Sequence, residues 1–115
     1  MLTIYGIKNC DTMKKAFAWL NENNITYTFH DYKKAGISSQ KLEAWDKALG
    51  WETLLNRKGT TWRKLDASIQ AGITREKALQ LMQEQTSIIK RPVLEHGTLL
   101  LTGFDPNIWA QALKK

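Results

Sequence analysis

Apolar and polar positions change period along this chain, and each change marks an element. Leu2-Thr-Ile-Tyr-Gly6 alternates apolar with small polar residues and stops at glycine, the pattern of a short strand entering a turn. From Cys10 to about Asn23 there is neither Pro nor Gly. Within that stretch Met13, Ala16, Phe17 and Leu20 recur at i, i+3, i+4 and i+7, which predicts an amphipathic helix with one apolar face. Asn23 and Asn24 close it. Period two then returns, because Ile25, Tyr27 and Phe29 alternate with Thr26, Thr28 and His30, giving a second strand. Strand, helix and strand in this order make a βαβ unit, whose strands are parallel and whose crossover is right-handed.

The middle of the chain has a helical texture. Gly36 is a break, Ser38 or Ser39 can cap, Leu42, Trp45 and Leu49 form a stripe, and Gly50 stands where a left-handed C-terminal residue belongs. Trp51 to Asn56 predicts a short helix followed by a basic loop, and Thr74 opens another helix with Ala78, Leu81 and Met82 inward. Pro92-Val-Leu-Glu-His-Gly97-Thr-Leu-Leu-Leu-Thr102 predicts an antiparallel hairpin around a His96-Gly97 turn. Asp105-Pro106 opens the last helix, since Asp is a good N-cap and Pro suits the first helical position; Ile108, Trp109, Ala112 and Leu113 supply its apolar contacts. The order β-α-β, helical block, β-β-α places two parallel strands and one hairpin in a four-stranded mixed sheet covered by helices. That is an α/β protein of thioredoxin-like topology. Residues 1–115 are expected to form a single domain, with about 34–88 as a helical insertion packed on the core.

Composition narrows the class. The chain has 115 residues, 43% hydrophobic and 24% charged, with five Trp, which is ordinary for a globular protein. Its longest apolar run is five residues, 16–20, against the ~20 needed to span a bilayer. The N-terminus has no basic n-region or long apolar stretch, so it does not read as a signal peptide. A single cysteine closes no internal disulfide, which excludes a secreted disulfide scaffold and a Cys-rich zinc module and leaves a cytoplasmic setting. The net charge of +6 favours an anionic ligand, but the excess is spread evenly: residues 1–58 carry nine basic and six acidic groups, residues 59–115 eight and five. The densest patch, Arg57-Lys58-Gly-Thr-Thr-Trp62-Arg63-Lys64, reads first as a solvated loop or helix end and second as an anion-contacting loop. With no basic arm, direct nucleic-acid binding is not expected.

One reactive side chain has a privileged position. Cys10 lies where the first strand has ended and the first helix begins, so unpaired amides and the positive end of the helix dipole would stabilise its thiolate. Elsewhere a lone cysteine is commonly a small buried hydrophobe. In a thioredoxin-like topology the Cys10 loop faces the residue before the third strand, which is Arg91-Pro92. That position carries a cis proline in such folds, so a cis Arg91-Pro92 bond is expected by fold-level analogy. Arg91 would then lean over Cys10, stabilising the thiolate and holding an anionic group of a ligand. Cys10-Asp-Thr-Met13 has Met where a resolving thiol would stand. A mixed disulfide at Cys10 must therefore be resolved by a second molecule, most simply a small thiol such as glutathione. His30 and His96 have no Cys, Asp or Glu at metal-ligand spacing, and the isolated glycines make no phosphate-binding loop, so no metal or bound cofactor is predicted.

Four segments carry a resemblance: Ile4-Tyr-Gly-Ile-Lys-Asn-Cys10-Asp-Thr, Leu54-Leu-Asn-Arg-Lys-Gly-Thr-Thr-Trp62, Ile89-Lys-Arg-Pro-Val93 and Gly103-Phe-Asp-Pro. Together they resemble the arsenate reductase (ArsC) and Spx family, most closely its small YffB-type branch, over nearly the whole chain. The resemblance implies Cys10 as nucleophile and Arg91 before a cis Pro92; Lys8, Asn9, Thr12, Arg57 and Pro92 are the residues expected to bind substrate. Arsenate reductases of this type use further arginines. Arg57 matches one only with a one-residue shift, since Asn56 takes its place without a gap, and the segment around Thr102 and Gly103 offers no other. Arsenate reduction is accordingly disfavoured. Spx-type regulators bind the α subunit of RNA polymerase and often carry a Cys-x-x-Cys switch; Gly50 stands at a glycine used in that contact, while Met13 removes the switch. Two readings follow. The first is a glutathione-dependent thiol–disulfide reductase using Cys10 and Arg91, and the second an RNA polymerase-binding module without an internal redox switch.

Overall fold

The computed structural model describes residues 2–115. Its elements are, in order, β1 (Leu2–Gly6), α1 (Asp11–Glu22), β2 (Thr28–Asp31), α2 (Tyr32–Ala35), α3 (Ser39–Leu49), α4 (Trp51–Leu54), α5 (Thr60–Arg63), α6 (Ala67–Ala71), α7 (Arg75–Glu84), a 3-10 turn (Thr86–Ile88), β3 (Val93–His96), β4 (Leu99–Thr102) and α8 (Pro106–Leu113). The chain divides into two compact units: residues up to 35 together with 91–115, and residues 36–90.

The first unit holds a four-stranded sheet in the order β2-β1-β3-β4. β1 and β2 run parallel, with Tyr5 opposite His30 and Gly6 opposite Asp31, while β3 is antiparallel to both β1 and β4. This α/β arrangement is the mixed, thioredoxin-like sheet predicted from the element order. Alternation along β1 sends Leu2 and Ile4 to one face, where they join Met13, Ala16 and Leu20 of α1, Leu94 of β3 and Trp109 of α8 in a buried core. Trp109 meets Trp19 and Phe104 edge-on, with ring centroids 5.9 and 4.9 Å away, and its indole N–H donates to the Gly103 carbonyl at 3.2 Å. Each such aromatic pair adds about 0.5–1.5 kcal/mol beyond burial.

Three details differ from the periodicity. β2 starts at Thr28 rather than Ile25, because the Ile25 amide donates to the Leu20 carbonyl at 2.9 Å and Asn24 takes φ 56°, keeping the backbone in the helix-exit turn. The hairpin turns at Gly97 and Thr98 rather than His96 and Gly97: His96 pairs with Leu99, and Gly97 supplies the positive φ of 61°. Ile108 is 52% exposed, since the apolar face of α8 is centred on Trp109.

In the second unit, Ser38 caps α3 by accepting from the Lys41 amide at 3.1 Å, as its position suggests. Gly50 has positive φ, 89°, but an extended ψ of 138°, so it turns the chain into α4 without being a left-handed helix end. The Asp46 carboxylate binds the Trp51 amide at 2.7 Å and Arg75 Nε at 2.6 Å, linking α3 to α4 and α7. Leu42, Trp45, Leu54, Leu55, Ala78, Met82, Ile88 and Ile89 are buried here. The basic segment is not an open loop: Thr60–Arg63 closes a helical turn, fastened by a 2.7 Å hydrogen bond between the Thr61 and Ser87 hydroxyls. α5 and α6 have four and five residues, too few for a 3.6-residue period to show.

Candidate active site

β1 delivers the chain to the site at Gly6, where a Cβ would come within 2.6 Å of the Met13 Cε. Bare backbone at residue 6 lets buried Met13 fill the space beneath the loop. Cys10 is the N-cap of α1, with extended φ and ψ of −133° and 130°, and its carbonyl accepts from the Lys14 amide at 3.0 Å. Its half-exposed sulfur therefore sits over the first helical turn. The amides of Met13 and Thr12 face that sulfur without closing a full side-chain cap, and the Arg91 side chain hydrogen-bonds to it. Partial burial pushes the thiol pKa up; the Met13 amide, the Arg91 hydrogen bond, the Thr12 amide and the Arg91 charge together outweigh it and bring the thiol below its ordinary range.

Arg91 reaches the sulfur from the start of β3. The Arg91-Pro92 peptide bond is cis, as expected, and Pro92 is buried at a strand entrance where no ladder amide is needed. The Pro92 carbonyl accepts from the Gly103 amide at 2.8 Å, tying this turn to the end of β4.

A second layer of side chains occupies the sheet face opposite the apolar core. The Tyr5 hydroxyl donates to Glu95 Oε1 at 2.8 Å, and the Tyr5 ring lies 4.8 Å from His30 and 6.4 Å from Tyr32. Burial, then the hydrogen bond and charge of Glu95, raise the Tyr5 pKa, so this phenol stays protonated. Tyr32 is 2% exposed and its buried hydroxyl has no hydrogen-bond partner among the described residues; burial raises its pKa, Tyr5 raises it further and the Arg91 charge opposes both. Sequence reasoning missed Tyr5, Tyr32 and Glu95. Residue parity alone puts Tyr5 off the core face, but its meeting with His30 and Glu95 depends on strand register, which the sequence does not display.

Of the residues expected at the site, Cys10, Thr12, Arg91 and Pro92 come together, with Thr12 contributing its amide. Lys8 and Asn9 are exposed in the loop before Cys10. Arg57 is exposed in the second unit, its guanidinium 5.7 Å from the centre of the Trp62 ring. Among the described residues no three His, Cys, Asp or Glu side chains converge on a metal position, and no helix is long and apolar enough to cross a membrane.

The family model of ArsC matches residues 5–112, a span containing the cysteine loop, the Arg-Pro turn and most of the last helix. The chain belongs to the ArsC family. The solved structure of the YFFB (PA3664) protein is 52% identical and superposes with a TM-score of 0.94, covering 98% of this chain and 99% of that one. An arsenate reductase (ArsC) related protein from Brucella melitensis is 49% identical, with a TM-score of 0.80 and coverage of 99% and 95%. The global transcriptional regulator Spx of Enterococcus faecalis is 28% identical over 112 residues, covering 91% of this chain and 80% of the relative. This ArsC-family protein is thus similar both to arsenate reductase-related proteins and to Spx regulators.

Proposed function

We infer that this ArsC-family protein is a cytoplasmic single-cysteine thiol–disulfide reductase with glutathione as co-substrate. The observation that carries the reading is the Cys10 sulfur held over the first turn of α1 within hydrogen-bonding reach of Arg91. In the first step the Cys10 thiolate attacks a disulfide RS–SG, the new sulfur–sulfur bond joins Cys10 to the glutathionyl group, and RS⁻ leaves to take a proton from solvent. In the second, glutathione thiolate attacks the adduct, releasing oxidised glutathione and restoring the Cys10 thiolate. The net change is RS–SG plus glutathione to RSH plus oxidised glutathione. Arg91 stabilises the anion on Cys10 before attack and after release, and its second edge can hold a carboxylate of the tripeptide. Lys8, Asn9, Thr12 and Pro92 are assigned to ligand binding by their place beside Cys10 and Arg91, and Arg57 by its place in the basic segment. Incubating the reduced protein with oxidised glutathione should add one glutathionyl group at Cys10, and reduced glutathione should remove it. Absence of the adduct in intact-mass spectra would sink the reading.

The 28% identity to a Spx regulator favours one alternative, a module that binds RNA polymerase through its α chain. Capture of the isolated C-terminal domain of α by the wild type and equally by Cys10→Ser would favour that module; capture by neither leaves the reductase reading in place.

A further inference from the structure

The segment Gly103-Phe-Asp-Pro carries none of the reactive groups of the site, yet it is bonded to the Arg91-Pro92 turn. β3 and β4 pair from His96–Leu99 to Val93–Thr102, and one step further the same register sets Pro92 opposite Gly103. In an antiparallel ladder every second pair of opposed residues exchanges two backbone hydrogen bonds. Proline has no amide to give, so this rung keeps one bond, from the Gly103 N–H to the Pro92 carbonyl at 2.8 Å. The Gly103 carbonyl, deprived of its ladder donor, accepts instead from the Trp109 indole N–H at 3.2 Å. Trp109 is 1% exposed and meets Phe104 and Trp19 edge-on, so the donor that replaces the missing amide is itself fixed in the core. Gly103 holds φ at 74°, in the left-handed region, which turns the chain out of the ladder toward the Asp105 cap of α8. A Cβ there would meet nothing within 4 Å, so backbone conformation, not space, calls for glycine.

We propose that Gly103 is a positioning residue for Arg91, its amide holding the Pro92 carbonyl so that the preceding side chain stays within reach of the Cys10 sulfur. The proposal rests on Cys10 acting as the nucleophile with Arg91 beside it. On the other side of β3 the register with β1 ends at Val93, opposite Tyr5, and the rung from Gly103 carries the restraint one residue closer to Arg91.

The test follows the pH midpoint of iodoacetamide alkylation of the single cysteine in the full chain. Gly103→Ala, strained at positive φ, should raise the midpoint by roughly half the rise caused by Arg91→Ala and slow the reaction at pH 7 about two- to threefold. Gly103→Asn, which tolerates the left-handed region, should stay nearer wild type. Trp109→Phe, which removes the indole donor without touching Gly103, should raise the midpoint in the same direction, and it decides the matter should Gly103→Ala fail to fold. In an Arg91→Ala background none of the three should move the midpoint further, because the side chain being positioned is gone. A wild-type midpoint in Gly103→Ala overturns the proposal, as does an equal rise in Gly103→Asn. A rise that persists without Arg91 overturns it too, since a general loosening of the fold would produce that result. Should Arg91→Ala itself leave the midpoint at the wild-type value, the pairing of Arg91 with Cys10 fails, and this inference with it.

Discussion

At the scale of single residues, the site is a competition between burial and hydrogen bonding at one sulfur. Burial is the largest influence on Cys10 and opposes ionisation, so the low thiol pKa depends on Arg91 and two amides acting together. Arg91→Ala should move the midpoint of iodoacetamide alkylation upward, toward the ~8.5 of a free thiol, and slow the reaction at pH 7. Arg91→Lys should fall between, because an ammonium keeps the charge but not the planar fork. The same shift links to stability. A thiol whose folded pKa lies below its unfolded value stabilises the fold fully above about pH 8.5, and that contribution fades as pH falls through the folded value. The stability of reduced wild type relative to Cys10→Ser, measured by urea unfolding, should therefore rise from pH 6 to pH 9. A flat difference would show that Cys10 titrates alike in both states.

At the scale of elements, caps were more legible than short helices. Ser38, Thr74 and Asp105 are the side-chain caps of α3, α7 and α8, and each is a residue whose oxygen competes for amides just before an apolar stripe. Asp105 accepts from the Asn107 and Ile108 amides at 2.9 and 3.3 Å. Asp105→Ala should cost about 1 kcal/mol, read as a lower urea midpoint with unchanged slope. The cysteine position was legible for the same reason, since a strand ending at Gly6 and a stripe beginning at Met13 leave Cys10 at the helix start. β2 was displaced by three residues because its apolar alternation begins inside the turn that leaves α1, where Ile25 is already bonded to Leu20. Helices of four residues, such as Thr60–Arg63, form through tertiary contacts such as the Thr61–Ser87 bond and leave no periodic trace.

At the scale of the whole molecule, the order of elements carried the topology, whereas the Tyr5, His30, Tyr32 and Glu95 layer emerged only once register was fixed. The net charge of +6 acts at this scale too. Reaction of Cys10 with oxidised glutathione, an anion, should slow as salt rises from ~0.01 to ~0.15 M, while reaction with neutral bis(2-hydroxyethyl) disulfide should not. Equal salt dependence would remove charge steering. Met13, 0% exposed beneath Gly6, sets a last constraint. With hydrocarbon and thioether where a second thiol would stand, a captured group has no intramolecular exit. Its dwell time on Cys10 then scales inversely with the abundance of outside thiol, so the fraction of molecules left capped becomes a gauge of how reducing the surroundings are.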